Sequence, residues 1–283
     1  FLCRRQQSVG LSNSNDASSE RFRSNFGPRN IKMKGIATKT EFKNYSMCLR
    51  DAVAIFTKEL INCLFDVQYE EEKGALTKSK FLIILERLSV ENKACFWLDF
   101  ENSFTEIRRK LDLDALAAYQ SDPAAKSVRE VYLAYPGFYA IAVYRLSAQL
   151  LAQGIAILPR MMSAYAHSIT GTDIHPRAQI GNSFFIDHAT GIVIGETTII
   201  KNKVTIFQGV TLGGIQAKKS MASEKRHPTI EDNVIVYANA TILGGDVVVG
   251  ENAVIGANVC ITASVVKNSV VTLQSENKTF QRR

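Results

Sequence analysis

The sequence predicts an α+β protein in which an all-helical N-terminal domain is followed by a parallel β-solenoid. Two observations carry this prediction: a six-residue aliphatic repeat in the C-terminal half, and apolar stripes with helical spacing before it. The chain has 283 residues, 46% hydrophobic and 22% charged, which is ordinary for a globular protein of one or two domains. No stretch reaches the ~18 consecutive apolar residues that a membrane-spanning helix requires.

The C-terminal repeat places an aliphatic residue at about every sixth position. A period of six fits neither an α-helix nor a strand with one buried face. It is typical of a β-solenoid, in which each hexad forms one short strand and one corner and three hexads complete a triangular coil. The repeat positions are Ile174, Ile180, Ile186, Ile194, Ile200, Ile206, Leu212, Ile230, Val236, Ile242, Val249, Ile255 and Ile261.

Composition and periodicity divide the chain into four segments. Residues 1–36 are rich in Ser, Asn and Arg and poor in acids, which predicts a disordered extension or a targeting segment. Residues 37–170 predict a domain of six to eight helices. Residues 171–273 hold the solenoid, which one basic insert, Gly213 to Thr229, interrupts. Residues 274–283 predict a flexible tail. The helical stripes are Val53, Ile55, Phe56, Leu60, Ile61 and Leu64; Phe81, Leu82, Ile84, Leu85 and Leu88; and Trp97, Phe100, Phe104, Ile107 and Leu111.

Charge and cysteine usage narrow the function classes. A net charge of +7 fits an anionic ligand such as a nucleotide or coenzyme A, or nucleic acid. No zinc-ligand array or RNA-binding aromatic signature accompanies the charge, so we expect neither a nucleic-acid partner nor a membrane. Five scattered cysteines without CxxC spacing predict reduced thiols inside the cell. We expect a cytoplasmic location, or an organelle if residues 1–32 are a transit peptide; Met33 is an alternative start.

Several short motifs occur in order between about residues 100 and 265. They are Ser121-Asp122-Pro123-Ala124, Pro136-Gly137-Phe138, Tyr144-Arg145, Asp173-Ile174-His175-Pro176, Ile186-Asp187-His188-Ala189-Thr190-Gly191, Gly195-Glu196-Thr197, Gln208 to Gly214, and Arg226-His227-Pro228. On these motifs the chain resembles the serine acetyltransferase family of hexapeptide-repeat acyltransferases. The resemblance implies a left-handed parallel β-helix, assembly as a trimer or a pair of trimers, and acetyl transfer from acetyl-CoA to L-serine. The product would be O-acetylserine, in the first step of cysteine biosynthesis, with no permanently bound cofactor and no metal.

The resemblance assigns His188 as the catalytic base and Asp173 as its orienting carboxylate. A serine hydroxyl is a poor nucleophile at neutral pH and needs a base within hydrogen-bond reach. A carboxylate on the other ring nitrogen would fix the tautomer. The residues add support of their own, because Ile186 and Ile194 are eight positions apart, two more than the repeat. Insertions in a solenoid form bulged corners that lift side chains out of the wall.

In the serine pocket of the family, two protein carboxylates bind the ammonium of the substrate, and an Arg and a His bind its carboxylate. The matching residues are Asp122 and Asp187 for the ammonium, and Arg226 and His227 for the carboxylate. Asp122 before Pro123 also fits a helix N-cap, and both roles stay open. Glu196 is a further candidate for the substrate, or else for a structural hydrogen bond. His175-Pro176 predicts a corner, and His167 a structural histidine.

For acetyl-CoA, the family pattern implies small residues along a groove between subunits. The matching positions are Gly213, Gly214, Ala238 and Ala257, while Lys218 and Lys219 would neutralise phosphates. The chain departs from the family at Asn239 and Asn258, where glycine is common, which predicts an altered groove. It also ends without the terminal Ile that many members insert into O-acetylserine sulfhydrylase, so that complex is not expected here.

Three alternatives stay open from the sequence. Another hexapeptide-repeat acyltransferase would act on a sugar or xenobiotic, but such relatives lack the helical domain. A zinc carbonic anhydrase shares the solenoid but needs three metal-binding histidines, and the four histidines here lie in other contexts. An inactive scaffold or regulatory subunit is opposed by the intact set of candidate residues.

Overall fold

A computed structural model describes residues 47–65, 71–91, 93–215 and 223–274. The predicted extension, nearly all of the predicted tail, and both Lys218 and Lys219 lie outside these ranges. Within them, seven helices precede the solenoid: α1 (Met47–Phe65), α2 (Glu71–Arg87), α3 (Lys93–Asn102), α4 (Phe104–Ser121), α5 (Val128–Ala134), α6 (Pro136–Ala152) and α7 (Ile157–Thr170). The prediction of six to eight helices is therefore confirmed for the described part of the chain.

The apolar stripes form the core of the helical part. Phe56 and Phe81 are fully buried with their ring centroids 5.8 Å apart, and Phe81 also contacts Trp97 and Phe100. Burying aromatic rings in such tilted contacts supplies a large part of the packing energy of a small helical layer. One stripe member is misplaced, because Ile55 is 51% exposed. A run of apolar residues longer than one helical face necessarily leaves a member on the outside.

The solenoid consists of very short strands that stack in three parallel sheets. Sheet A has the order β1-β4-β7-β10-β13, sheet B β11-β8-β5-β2 and sheet C β14-β12-β9-β6-β3. The strands are β1 (Thr172–Ile174), β2 (Gln179–Ile180), β3 (Phe185–Ile186), β4 (Ile192–Ile194), β5 (Ile199–Ile200), β6 (Thr205–Ile206), β7 (Thr211–Gly213), β8 (Thr229–Ile230), β9 (Ile235–Val236), β10 (Thr241–Leu243), β11 (Val248–Val249), β12 (Val254–Ile255), β13 (Cys260–Ile261) and β14 (Val270–Val271).

Each aliphatic position of the repeat lies in its own strand, from Ile174 in β1 to Ile261 in β13. All of these side chains are buried except Ile180, which is half-buried. Since residues in register stack directly over one another along parallel strands, the repeat builds a continuous apolar column inside the prism. The strand β14 lies outside the repeat and was not predicted.

The corners between sheets C and A need left-handed backbone, and this explains the two asparagines that depart from the family pattern. Asn239 and Asn258 both have φ of 60°, and Gly209 occupies the equivalent corner one coil earlier with φ of 74°. Asparagine tolerates this conformation better than other residues with a Cβ. The Asn239 side chain leans over Gly209, where a Cβ would come within 2.0 Å of its Oδ1. The asparagines therefore preserve the corner conformation and add side chains to its surface.

The helices are fixed to the solenoid by buried polar contacts as well as by apolar packing. Arg145 on α6 binds Asp114 on α4 through two hydrogen bonds of 2.5 and 2.8 Å, and both side chains are almost fully buried. The same guanidinium donates to the carbonyl of Gly181, and Asp114 accepts from the amide of Phe184. Tyr144 donates to the carbonyl of Ala178 at 2.6 Å. Residues of three structural elements thus share one satisfied polar network.

Candidate functional site

His188 lies on a bulged corner between β3 and β4, as the two extra residues of the repeat predict. His188 and Ala189 are consecutive non-glycine residues with φ of 58° and 70°. Left-handed backbone costs roughly 1–2 kcal/mol at each such residue, so the surrounding structure must hold the bulge in place. The Thr172 hydroxyl does so by donating to the carbonyl of Ala189 at 2.6 Å. The bulge leaves the His188 side chain 70% exposed.

Helix α6 supports the same bulge from the inside. Gly137, in its first turn, packs so tightly on β3 that a Cβ there would lie 2.2 Å from the carbonyl oxygen of Ile186. Ile186 is the last residue of β3 and is followed directly by Asp187 and His188. The glycine of the Pro136-Gly137 motif therefore allows α6 to pack directly on the end of β3, where the bulge starts.

Three of the predicted site residues, Asp122, Asp187 and His188, lie together at this corner. Tyr135 contacts Asp122, and we call these four residues the first group. Asp187 Oδ2 lies 3.8 Å from His188 Nε2. The Tyr135 hydroxyl donates to Asp122 Oδ2 at 2.5 Å, and His188 lies within electrostatic range of Asp122. Tyr135 and the amide of Ala124 lower the pKa of Asp122, whereas the carboxylate raises the pKa of Tyr135 to about 12. Asp122 is therefore an anion, and Tyr135 a neutral donor, at neutral pH.

The alternative role of Asp122, as the N-cap of a helix, is wrong. Helix α4 ends at Ser121, Asp122 is its C-cap with extended backbone, and α5 begins only at Val128. The Asp122 carboxylate accepts instead from the amide of Ala124 at 2.8 Å, which closes an Asx-turn over the proline. Tyr135 was not identified from the sequence, because a lone tyrosine before a proline carries no pattern of its own.

Glu196, Arg226 and His227 form a second group, at the corner after β4. Arg226 binds Glu196 through Nη2, and Arg177 approaches the other oxygen of Glu196 at 3.0 Å. Burial raises the pKa of Glu196, but the hydrogen bond from Arg226 and the charges around it outweigh burial and leave that pKa lowered. Both oxygens of Glu196 thus bind arginines in this structure, and direct contact with a substrate stays a prediction.

The His227 ring packs closely against the backbone of Gly195. A Cβ on Gly195 would come within 2.0 Å of the ring carbon Cδ2, so only glycine allows this contact. Burial lowers the pKa of His227, and the neighbouring positive charge of Arg226 lowers it further. The ring is therefore neutral at pH 7. A cavity of about 550 Å³ opens beside this group, lined among others by Arg226, Gly244 and Thr262.

Asp173 does not hydrogen-bond to His188 among the described residues of the single chain. Its neighbours in β1, Thr172 and Ile174, point into the core, so Asp173 faces outward from sheet A. Its charge acts on His175, which lies two residues further along the same face. The pairing of Asp173 with His188 stays a prediction. His175 forms a corner as predicted, and its Nδ1 accepts from the amide of Arg177 at 3.0 Å.

The predicted coenzyme residues divide between the two sides of sheet A. Gly213 ends β7 and Gly214 follows it, on the side of the second group. Ala238 and Ala257 lie on the corner of the first group, in later coils. Backbone hydrogen bonds from Gly209 to Thr190, Asn239 to Gln208 and Asn258 to Ala238 stack these corners in a row that begins at the His188 bulge. With about 4.8 Å per coil, the row extends the first group along the solenoid axis.

The two groups lie at opposite ends of β4, since His188 precedes the strand and Glu196 follows it. At roughly 3.3 Å per residue, the segment from Gly191 to Gly195 spans about 13 Å. No group of three or more potential metal ligands occurs in the part of the chain that the structure describes. None of the helices in those ranges is long and apolar enough to cross a membrane.

Comparison with known proteins gives one consistent result. A serine acetyltransferase encoded on a plasmid of Synechococcus elongatus is 48% identical over 150 residues, which are 51% of this chain and 47% of that protein. The chain spans about half the length of the curated relatives that it matches first. Serine acetyltransferase isoform 3 of Entamoeba histolytica, solved with cysteine, has a TM-score of 0.72 and 32% identity over 82% of this chain and 84% of that one. The Neisseria gonorrhoeae serine acetyltransferase solved with serine has a TM-score of 0.60 and 29% identity, and the match covers 80% of this chain and 83% of that one. No family model matches the chain.

Proposed function

Because the chain belongs to the serine acetyltransferase family, we propose that it transfers the acetyl group of acetyl-CoA to the hydroxyl of L-serine, giving O-acetylserine and free CoA. One observation carries the proposal beyond the family resemblance. A bulge in the repeat exposes His188 beside two carboxylates, Asp122 and Asp187. This corner holds two consecutive left-handed residues with a Cβ, His188 and Ala189, where the equivalent corners of later coils hold one, Asn239 or Asn258. Extra backbone strain of this kind is typical of functional sites.

The chemistry we propose for His188 is general-base catalysis of a direct transfer. A neutral imidazole accepts the proton of the substrate hydroxyl as its oxygen attacks the thioester carbon. The tetrahedral intermediate then collapses, the bond from carbon to sulfur breaks, and the imidazolium returns the proton to the leaving thiolate. The substrate itself supplies the nucleophile, so the enzyme forms no acyl intermediate on its own side chains.

Substrate recognition follows from the charges of the two groups. The carboxylates of Asp122 and Asp187 lie next to the base and suit the ammonium of the amino acid. Arg226 and the neutral His227 suit its carboxylate, since a guanidinium can bind both oxygens at once. Related enzymes have been solved with serine and with cysteine bound. We propose that both amino acids fit this pocket, with cysteine acting as an inhibitor.

A molecule as small as serine cannot contact both groups of one chain, because they lie at opposite ends of β4. We therefore propose that the site is completed by a second copy, whose second group faces the first group of its neighbour in a closed ring such as a trimer. The same assembly would offer His188 an orienting carboxylate, because Asp173 lies on the outer face of sheet A with the second group.

We propose that acetyl-CoA lies along the row of corners that begins at the bulge. Ala238 and Ala257 keep this row narrow, and the left-handed corners expose backbone to the ligand. A thioester at the end of an extended pantetheine arm would then reach His188 from the coils above it. Gly213 and Gly214 of the neighbouring copy would form the opposite wall.

The experiment that tests the proposed function is thiol release from acetyl-CoA by the purified full chain, with L-serine compared against sugars and amino alcohols. Release that depends on serine is expected. His188→Ala should lower kcat by roughly 10²-fold or more, the usual effect of losing a general base. His167→Ala is the matched control, because the His167 side chain is exposed on α7 and belongs to neither group. If thiol is released only with another acceptor, that acceptor and not serine is the substrate. If a folded assembly releases no thiol with any acceptor, the chain is better explained as a scaffold.

A further inference from the structure

Thr197, in the turn after β4, binds the chain as it returns from the insert. Its Oγ1 accepts from the amide of Arg226 at 2.9 Å and from the amide of His227 at 3.0 Å. The same oxygen lies 2.8 Å from His227 Nδ1, and the amide of Thr197 donates to that nitrogen at 3.1 Å. The Lys225 ammonium donates to the carbonyl of Thr197 at 3.3 Å. One residue thus contacts three consecutive residues of the returning segment.

These contacts determine which nitrogen of His227 carries the proton. A hydroxyl offers two lone pairs and one proton, and the amides of Arg226 and His227 use both lone pairs of Thr197 Oγ1. Its proton is therefore left to donate to His227 Nδ1. The amide of Thr197 can only donate as well. A nitrogen that faces two donors must be an acceptor, so the proton of the neutral ring lies on Nε2.

The surroundings of the ring agree with a neutral imidazole. Burial lowers the pKa of His227, and the charges of Arg226 and Lys225 lower it further, whereas the charge of Glu196 opposes them. The ring packs closely on Gly195, where a Cβ would lie 2.0 Å from Cδ2 and 2.2 Å from Nε2. With Nδ1 turned toward Thr197, Nε2–H is the ring's remaining polar group.

We propose that Thr197 is a positioning residue, which holds Arg226 and His227 in place for the carboxylate of the substrate and fixes His227 as the Nε2–H tautomer. The substrate half of this inference rests on the proposed function; the tautomer half stands without it. A backbone amide and a hydroxyl of one residue together aim the ring, so the donor does not have to be ordered when the substrate arrives.

The tautomer is measured directly by long-range ¹H–¹⁵N correlation on the full chain labelled at histidine. The sequence has four histidines, and a His227→Gln spectrum assigns the ring of interest. At neutral pH we expect His227 Nδ1 to resonate as an unprotonated nitrogen and Nε2 as a protonated one. A proton on Nδ1 in the wild-type protein would overturn the proposal without any variant being made.

Three variants separate the hydroxyl from mere packing. Thr197→Val keeps the shape but removes the oxygen, and leaves two amides without an acceptor. We expect His227 to lose its single tautomer and the KM for serine to rise about tenfold or more, with the KM for acetyl-CoA unchanged. Thr197→Ser keeps the oxygen and should behave as wild type. Thr198→Val is the matched control, because the hydroxyl of Thr198 is buried and has no hydrogen-bond partner among the residues that the structure describes.

The outcomes distinguish the inference from the proposed function. If Thr197→Val keeps the wild-type imidazole spectrum and serine KM, or if Thr197→Ser fails as Thr197→Val does, the positioning role is overturned. If the wild-type protein shows the Nε2–H tautomer and Thr197→Val loses it, but no serine-dependent thiol release occurs, the tautomer half is supported and the proposed function fails.

Discussion

At the scale of single residues, the surroundings of the histidines differ. His188 is exposed on its bulge, whereas His175 is half-buried in a corner and accepts a hydrogen bond from the Arg177 amide. Burial lowers the pKa of His175 to about 4, and the charge of Arg160 adds to that shift. A histidine near other cations in a partly buried corner is therefore held neutral.

His175 makes the stability of the protein depend on pH. Its pKa in the folded state, about 4, lies below the ordinary value of 6.5, so the neutral ring is the form that the fold favours. The contribution is fully present above pH 6.5 and is lost as the pH falls through about 4. We expect the unfolding midpoint in urea to decrease across this window, and to decrease less in His175→Gln, whose amide oxygen can still accept from Arg177. An unchanged pH dependence in the variant would show that another group is responsible, and His227, shifted in the same direction, is the first to examine.

Arg226 provides a second test at this scale. If its guanidinium binds the carboxylate of the substrate, Arg226→Ala should raise the KM for serine strongly and leave the KM for acetyl-CoA nearly unchanged. Arg177→Ala is the control, because Arg177 also pairs with Glu196 but is much more exposed. Equal effects of Arg226→Ala on both substrates would contradict the assignment of the pocket.

At the scale of elements, a buried ion pair joins α4 and α6 to the first coil of the solenoid. Arg145 and Asp114 lie out of contact with solvent, and each also binds backbone of the solenoid. Such a pair adds little over apolar residues of the same size, because desolvation offsets the attraction. The pair acts on orientation instead. Arg145 donates to the Gly181 carbonyl and Asp114 accepts from the Phe184 amide, so the two bonds fix the position of the helices on the first coil. The Tyr144-Arg145 motif is thereby explained as a docking motif.

Removing one partner of this pair should be costly. Arg145→Ala would leave Asp114 buried without its counter-ion, and we expect the free energy of unfolding to fall by about 3–5 kcal/mol. Urea denaturation followed by circular dichroism, at a fixed protein concentration, measures the loss. Arg109→Ala, which breaks the exposed pair with Glu106, is the control and should leave the midpoint almost unchanged. A similar small effect for both variants would mean that the pair does not hold the helices.

At the scale of the whole molecule, the apolar core runs from the helices through every coil of the solenoid without a break. Helices α6 and α7 pack against β1 and so cover the first coil. This continuity places the first group where a helical loop, carrying Asp122, meets the bulge of the solenoid. The second group lies outside the helical part, with Glu196 after β4 and with Arg226 and His227 at the end of the insert. The two groups then face different directions from sheet A, which is the basis for the proposed assembly.

The assembly predicts that two defective chains can complement each other at a serine concentration well below the raised KM of Arg226→Ala. His188→Ala lacks the proposed base and Arg226→Ala lacks the proposed carboxylate-binding group. When the two variants are unfolded together and refolded as a mixture, up to about a quarter of the sites in a closed ring would combine both intact groups. We expect serine-dependent thiol release to return in the mixture but not in either variant refolded alone. If the mixture has the same oligomeric mass as the wild-type protein but releases no more thiol than either variant, the site is not shared between two chains.

The sequence alone determined the solenoid, the register of its strands and the position of the bulge. A six-residue period and its interruption are local properties, because both depend only on the spacing of residues along the chain. It also singled out the residues of both groups, except Tyr135, through motifs of the family. What only the tertiary structure decided depends on contacts distant in sequence. Tyr135 reaches Asp122, Thr197 fixes the ring of His227, and Asp114 accepts both Arg145 and the Phe184 amide. It also showed that Asp122 closes a turn rather than beginning a helix. No periodicity encodes such pairs, because each one forms only when the fold brings two separate segments within hydrogen-bond distance.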